Sequence, residues 1–252
     1  MSPVKPRQLP LARRLLAEAV GTAALVTVVI GSGIAAQRLS PGQIGLQLLE
    51  NSTATVLGLA VLILLFGPAS GAHFNPAVSL IDWALGRRTG NGLTGLDVAA
   101  YTLAQVAGAV LGAILANTMY SLSAVQVSHH HRATSATFLS EIVATAGLIA
   151  LIFALARTGR ASLSAAAVGA YIGSAYWFTS STSFANPAVT IGRIFSNTFA
   201  GIAPASVPAF LLAQLIGAAL GAALVVTLYH DVAHATDDVV VPHPAPVERA
   251  AR

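Results

Sequence analysis

The sequence predicts an all-α membrane protein with six transmembrane helices and two re-entrant half-helices in an inverted repeat. The first observation is composition: 55% of the 252 residues are hydrophobic and only 9% are charged, with a mean hydropathy of +0.74. A soluble domain carries about 25% charged residues. The second observation is a series of long apolar runs. The third is a pair of Asn-Pro-Ala triplets about half a chain apart, at 75–77 and 186–188.

We predict a basic cytoplasmic leader at residues 1–14 and a disordered tail, rich in proline and histidine, at 230–252. Six apolar runs lie between them, and a helix needs roughly 20 residues to cross a bilayer. The predicted helices are 15–36, 53–66, 97–120, 138–156, 163–178 and 209–229, with an outer loop at 37–52 and a helix end at Gly67-Pro68.

Each Asn-Pro-Ala triplet is typical of a helix start. Asparagine is a favoured N-cap, and proline suits the first helical position, where an N–H would lack an intrahelical partner. The apolar stretches that follow, about 77–85 and 188–199, are too short to cross a bilayer. We therefore predict two re-entrant half-helices that begin with Asn75, Pro76 and Ala77 and with Asn186, Pro187 and Ala188.

The two halves of the chain align with each other. Glu18-Ala-Val-Gly-Thr matches Glu141-Ile-Val-Ala-Thr, and Gln105 matches Gln214 before a shared Gly-xxx-Gly pattern. Each half holds three spans, so the second copy is inserted upside down. Inverted repeats place the functional site near the bilayer midplane, at the repeat interface. The repeats are predicted at about 15–120 and 138–229, within one domain at 15–229.

The basic residues predict the orientation of the chain. Six spans put both termini on one side of the membrane. Ten Lys and Arg residues then lie on that side, and three lie on the other: Arg38, Arg132 and Arg193. The positive-inside rule places the termini in the cytoplasm.

In an inverted repeat, the N-termini of the two half-helices meet at the midplane. Each N-terminus carries about half a positive charge, and the amides of Asn75 and Asn186 add N–H donors. A water that accepts from both cannot continue a proton-conducting chain, so the pair predicts a pore for neutral solutes. The alternative is that both asparagines are only helix caps.

With these triplets and repeats, the sequence resembles the aquaporin, or major intrinsic protein, family over about residues 11–230. The resemblance implies a passive channel domain for water and small uncharged polar solutes such as glycerol, with no cofactor and no metal. It also implies a homotetramer with one pore per subunit in the cell membrane. No basic cluster interleaved with aromatic residues points to nucleic acid, and no nucleophile–base set points to an enzyme.

Glu18 and Glu141 are acids inside predicted spans, where a charge is expensive. Either they form a proton relay, or each accepts N–H bonds from the loop of its own repeat. Their equivalent positions and the family resemblance favour loop support. His73, two residues before Asn75, is either a pH switch or, as we favour, a hydrogen-bonded part of the loop.

Most members of the family have an arginine directly after the second triplet, in a narrow outer filter, but here that position is Val189. The sequence assigns the other filter positions to Ser183, to Ser174 or Gly173, and to the stretch from Thr55 to Leu57. None offers an aromatic ring or a charge, so we expect a wider and less charged filter than in a strict water channel. The rings at 176–178 suit an interfacial aromatic belt, with a filter role for one of them as the alternative.

Arg193 lies one helical turn beyond Val189, about 6 Å nearer the outer surface. Its counterpart in the first repeat is Asp82. One hypothesis is that Arg193 supplies a positive pore mouth in place of the missing filter charge. The more ordinary interpretation, which we favour here, is that its side chain reaches the lipid headgroups.

Val189, with Phe-Gly-Pro before the first triplet and Tyr-Trp-Phe-Thr before the second, is similar to a bacterial branch of the family associated with arsenic and other metalloids. Arsenous acid is neutral at neutral pH and glycerol-sized, so a wide neutral pore would suit it. Two other functions stay open. One is a proton- or ion-coupled secondary transporter, since inverted repeats and broken helices occur there too. The other is a non-conducting scaffold.

Overall fold

The structure is a computed structural model that describes residues 9–87 and 92–229. Residues 1–8 of the predicted leader and the predicted tail at 230–252 lie outside the described residues. The described residues form eight α-helices: α1 (Leu11–Leu39), α2 (Ile44–Ser70), α3 (Pro76–Gly86), α4 (Gly95–Met119), α5 (Ser135–Arg157), α6 (Ser164–Phe178), α7 (Pro187–Gly192) and α8 (Val207–Leu228). They also form three 3₁₀ turns: Ala161–Leu163, Arg193–Phe195 and Pro204–Ser206.

Six of these helices are long and two are short, so the predicted fold class is confirmed. Five of the long helices have the length and hydropathy to cross a membrane. The sixth, α6, has 15 residues and spans about 22 Å, and the turn Ala161–Leu163 extends it at its N-terminus. The short helices α3 and α7 have 11 and 6 residues.

The second span differs from its prediction at both ends. α2 begins at Ile44, inside the predicted outer loop, and continues through Gly67-Pro68 to Ser70. Pro68 is tolerated because it lies in the last turn of the helix, where its missing N–H costs a single bond. The helix ends at Gly71, which has a left-handed φ of 89° and donates its N–H to the Gly67 carbonyl at 2.9 Å.

The second half-helix is shorter than predicted, because α7 ends at Gly192 and a 3₁₀ turn follows. The carbonyls of the turn accept hydrogen bonds from other segments instead of from a continuing helix. Arg193 accepts from the N–H of Ile202 at 3.2 Å, and Ile194 accepts from the N–H of Ser128 at 2.8 Å. The outer loop and the returning chain therefore stop the helix.

The two repeats pack in the same way. α1 lies against α2 and α4, and α5 lies against α6 and α8. At these contacts a Cβ on Gly108 would lie 2.2 Å from the carbonyl oxygen of Ala19, and one on Gly217 would lie 2.5 Å from that of Ile142. Only glycine allows the paired helices to approach so closely. This close packing brings the two half-helices together at the centre of the molecule.

Candidate pore site

The loop before the first half-helix is organised by the carboxylate of Glu18. Its Oε1 accepts from the Ser70 hydroxyl at 2.6 Å and from the His73 N–H at 3.0 Å. Its Oε2 accepts from the Phe74 N–H and from the Gln105 amide, each at 2.7 Å. Glu18 is completely buried, and these four donors offset the cost of burying its charge.

Glu141 organises the second loop in the same way. Its Oε1 accepts from the Ser181 hydroxyl at 2.6 Å and from the Phe184 N–H at 2.9 Å. Its Oε2 accepts from the Ala185 N–H at 2.9 Å and from the Gln214 amide at 2.7 Å. Because four donors surround each carboxylate, the geometry favours loop support over a proton relay.

Both loops turn backbone carbonyls away from these carboxylates. In a trans peptide the N–H and the preceding C=O point in opposite directions. The N–H groups of His73 and Phe74 point at Glu18, so the carbonyls of Ala72 and His73 point away from it. Ala72 and Phe74 have φ of 48° and 49°, and the equivalent residues of the second loop have 49° and 46°. Such left-handed backbone persists only where its surroundings hold it.

The two asparagines bond reciprocally across the repeat interface. Each Oδ1 caps its own half-helix by accepting backbone N–H bonds. Asn75 Nδ2 donates to the Ala185 carbonyl at 2.8 Å, and Asn186 Nδ2 donates to the Phe74 carbonyl at 2.7 Å. Each Nδ2 also carries a second hydrogen. The half-helix N-termini therefore meet, as the sequence predicts.

A cavity with a volume of ≈ 60 Å³ lies between the repeats. One ordered water needs roughly 10–15 Å³ of such space, so the cavity has room for several. Its polar side chains are Thr55, His73, Asn75, Tyr176, Ser183, Asn186 and Arg193. Much of the remaining wall is apolar: Leu25, Val29, Leu59, Ile63, Leu148, Ile152, Val168 and Ile172.

The structure divides the residues predicted for the outer filter into two groups. Thr55, Ser183 and Val189 line the cavity. Three others do not, and their assignment is corrected here: Leu57, Gly173 and Ser174. Leu57 is 63% exposed on the outside of α2. On α6, a Cβ on Gly173 would meet the side chain of Val56, and Ser174 is exposed and donates to the carbonyl of its own helix at position 171.

Tyr176 takes the place that the sequence assigned to Ser174 or Gly173. It is 3% exposed and lines the cavity, with its hydroxyl 3.3 Å from Thr55 Oγ1. Ser183 lies on the same cavity, and its buried hydroxyl has no hydrogen-bond partner within residues 9–87 and 92–229. An aromatic ring from 176–178 therefore lines the cavity, where the sequence led us to expect none.

Arg193 is 3% exposed and lines the same cavity, so the headgroup interpretation was wrong. Its Nε donates to the Ala200 carbonyl, and its guanidinium carbon lies 3.4 Å from the ring centroid of Phe184. A second arginine, Arg132, lies 5.5 Å from the same centroid. Burial lowers the pKa of Arg132, while Tyr176 and Glu141 oppose that shift.

His73 lies in the loop as a bonded side chain. It is 8% exposed, its Nδ1 lies 3.0 Å from Ser79 Oγ, and its ring centroid lies 5.6 Å from that of Tyr101. This geometry fits a hydrogen-bonded part of the loop.

The sequence analysis did not assign Arg132 and Phe184 to the site. Their contacts join an outer loop to a distant ring, and such contacts leave no local pattern in the chain.

Comparisons with known proteins agree with this geometry. The sequence profile of the family described as "Major intrinsic protein" matches residues 5–183 of the chain. The chain is 49% identical over 204 residues to "Aquaglyceroporin AqpS" of Rhizobium meliloti (strain 1021), which covers 81% of this chain and 84% of that relative. It is 35% identical over 221 residues to the "Glycerol uptake facilitator protein" of Pseudomonas aeruginosa, which covers 75% of each chain.

A solved structure supports the same fold. The X-ray structure of the aquaglyceroporin from Plasmodium falciparum aligns with a TM-score of 0.60 and 20% sequence identity. The alignment covers 88% of this chain and 97% of that chain.

Proposed function

Since this chain belongs to the major intrinsic protein family, we propose how its own residues select the solutes that cross. The chain is a passive membrane channel for water and glycerol-like solutes, and it is not an enzyme. We assign selection at the midplane to Asn75 and Asn186. We assign selection by size to an outer filter of Thr55, Tyr176 and Val189, with Ser183 as a hydrogen-bonding group beside it.

One observation carries this proposal: each asparagine donates to the carbonyl just before the other asparagine. These bonds hold two positive helix ends side by side on the cavity wall, where they disfavour a cation. The free N–H of each asparagine orients a passing water through its oxygen. That water then cannot accept a hydrogen from its neighbour, and the proton-conducting chain is broken.

The composition of the wall supports small polyhydroxy solutes. Loop carbonyls supply acceptors, asparagine amides supply donors, and an apolar wall faces the C–H groups of the solute. Glycerol has this character. Arsenous acid is a neutral trihydroxy compound of similar size, and we propose that it and other metalloid hydroxides pass by the same contacts.

We further propose that residues 15–229 form one channel unit in the cell membrane, with both termini in the cytoplasm. The described helices begin at Leu11 and end at Leu228, which supports these limits. The count of basic residues on the two sides supports the orientation.

We also propose that the chain forms a homotetramer. Exposed leucines on α2, α4 and α8 suit contact with lipid and with neighbouring subunits: Leu57, Leu64, Leu111 and Leu220.

Osmotic swelling of proteoliposomes tests the function directly. We expect swelling in glycerol and in arsenous acid to exceed that of empty liposomes, with no change when a proton gradient is imposed. A rate that follows the proton gradient would favour a coupled transporter. Swelling equal to that of empty liposomes with every solute would favour a non-conducting scaffold.

A further inference from the structure

We propose that Arg193 is the charge filter of this pore, acting one helical turn beyond the position that Val189 occupies. Charge and size are then selected by different side chains, with size left to Thr55, Tyr176 and Val189. This inference rests on the proposed channel function and specifies which solutes the outer mouth admits.

The position of Arg193 is defined by backbone contacts. It opens the turn after α7, its Nε donates to the Ala200 carbonyl, and its own carbonyl accepts from the Ile202 N–H at 3.2 Å. With 3% of its surface exposed, it has little contact with surroundings other than the protein and the cavity that it lines. An arginine fixed in this way presents its charge to the lumen.

Arg132 and Phe184 hold the guanidinium of Arg193 in place. Three successive carbonyls bind the two guanidinium groups: Phe199 accepts from Arg132 Nη2 at 2.8 Å, Ala200 accepts from Arg193, and Gly201 accepts from Arg132 Nε at 2.6 Å. The ring of Phe184 lies against both guanidinium groups and contributes a cation–π attraction. Arg132 is therefore a positioning residue, and it adds a second positive charge.

In the part of the chain that the structure describes, no carboxylate lies within ion-pair distance of either arginine. Within residues 9–87 and 92–229, the side chains that approach to ion-pair distance are Arg14 and Asp97, at 3.7 Å. Glu141 acts on the arginines from beyond ion-pair distance, while its own oxygens accept four hydrogen bonds from the loop and from Gln214. A cation that enters the outer mouth therefore meets two positive charges, neither of which has an ion-pair partner among the described residues.

Neutral oxygen-rich solutes find a different environment at the same place. The Nη groups of Arg193 are donors, and the buried Ser183 hydroxyl has no hydrogen-bond partner among the described residues. A solute hydroxyl can accept from the first and exchange a hydrogen bond with the second. The mouth thus admits small polyols and hydroxides and rejects ammonium-type cations.

The test is uptake of methylammonium at pH 6 by proteoliposomes under an inside-negative potential, with glycerol swelling measured on the same preparation. We expect Arg193→Gln to raise methylammonium uptake on the order of tenfold, with glycerol swelling within about twofold of wild type. Arg193→Lys keeps the charge and is expected to keep exclusion. Val189→Ile is expected to slow glycerol without admitting methylammonium. Arg38→Gln, an exposed outer arginine outside the cavity lining, is the matched control.

The outcomes separate this inference from the proposed function. A wild-type protein that passes no glycerol refutes the channel assignment. Normal glycerol swelling with unchanged methylammonium uptake in Arg193→Gln overturns the charge filter. If Arg193→Gln does not fold, Arg193→Lys decides. Loss of exclusion in Arg193→Lys, with glycerol swelling retained, overturns the proposal, and retained exclusion supports it.

Discussion

The two loops that carry the asparagines share a scaffold but differ in the side chains around it. In both, a buried glutamate accepts from a serine, two backbone N–H groups and a glutamine. Outside this scaffold the equivalent positions differ in chemistry: His73 and Phe184, Tyr101 and Phe210, Asp82 and Arg193.

These differences give the two mouths different electrostatics. In the first loop the ring of His73 lies beside Tyr101, whose hydroxyl donates to the Ser70 carbonyl at 3.0 Å. In the second loop Phe184 packs edge-on against Phe210 at 5.0 Å and lies against two arginines. The repeated residues hold the backbone, and in our proposal the residues that are not repeated set the charge that a solute meets.

The largest loss of stability is expected when either glutamate is removed. Glu18→Ala and Glu141→Ala each leave four buried donors without an acceptor, so we expect each to cost about 3–5 kcal/mol of stability. Thermal unfolding of the detergent-solubilised protein measures this loss. Because the scaffolds are equivalent, the two losses should be similar.

Glu50→Ala is the matched control for these variants. The Glu50 carboxylate accepts from the Ser40 hydroxyl at 2.6 Å and is only partly buried, so we expect a loss of about 1 kcal/mol or less. A protein that tolerates Glu141→Ala but not Glu18→Ala would show that the second loop is held by other contacts. The equivalence of the two scaffolds would then be wrong.

Substitutions of the two asparagines test whether each asparagine loop stabilises the other. Asn75→Ala and Asn186→Ala each remove a cap, at about 1–2 kcal/mol, and a bond to the opposite loop. Because each asparagine bonds the residue before the other, the effects should be coupled by about 0.5–3 kcal/mol in a double-mutant cycle. Chemical or thermal unfolding of the two single variants and the double variant gives this coupling. Strictly additive losses would mean that the loops act independently.

The duplicated part of the site could be predicted from the sequence, because the same side chains recur at matching places. Glu18 with Glu141, and the two Asn-Pro-Ala triplets, carry their roles in their own residue types. Local rules for N-caps and for buried charge then lead to the correct loop scaffold. The ends of α2 and α7 were less predictable, since contacts with other segments decide where those helices begin and end.

The part of the proposed outer filter that comes from α6 could not be predicted, because it depends on which face of α6 turns inward. That face consists of residues one turn apart, Val168, Ile172 and Tyr176, whereas counting back from Asn186 leads to a different face. α6 is largely apolar and its Ser174 is exposed, so no polar stripe marks the inward face. The position of Arg193 likewise depends on the carbonyls of a chain segment that follows it.

Val189→Arg tests the proposed outer filter by adding an arginine, whereas Arg193→Gln removes one. An arginine at this position would extend into the cavity that Thr55 and Tyr176 line, and we expect glycerol flux to fall on the order of tenfold before water flux changes much. Swelling in glycerol and shrinkage in an impermeant solute give the two rates. Equal loss of both, or no loss, would show that Val189 does not line the constriction.

The smallest effect on stability is expected at the equivalent residues Tyr101 and Phe210, which differ by a single hydroxyl. Tyr101→Phe removes a donor to the Ser70 carbonyl, and we expect a loss of about 0.5–1.5 kcal/mol with unchanged glycerol flux. Phe210→Tyr places a hydroxyl at the equivalent position, where the carbonyl of Ser181 corresponds to that of Ser70. If the backbones of the two loops are equivalent, the new hydroxyl finds that carbonyl and stability changes by less than about 0.5 kcal/mol. If thermal unfolding shows a loss of about 1–3 kcal/mol, the hydroxyl is buried without a partner, and the equivalence does not extend beyond the glutamate scaffold.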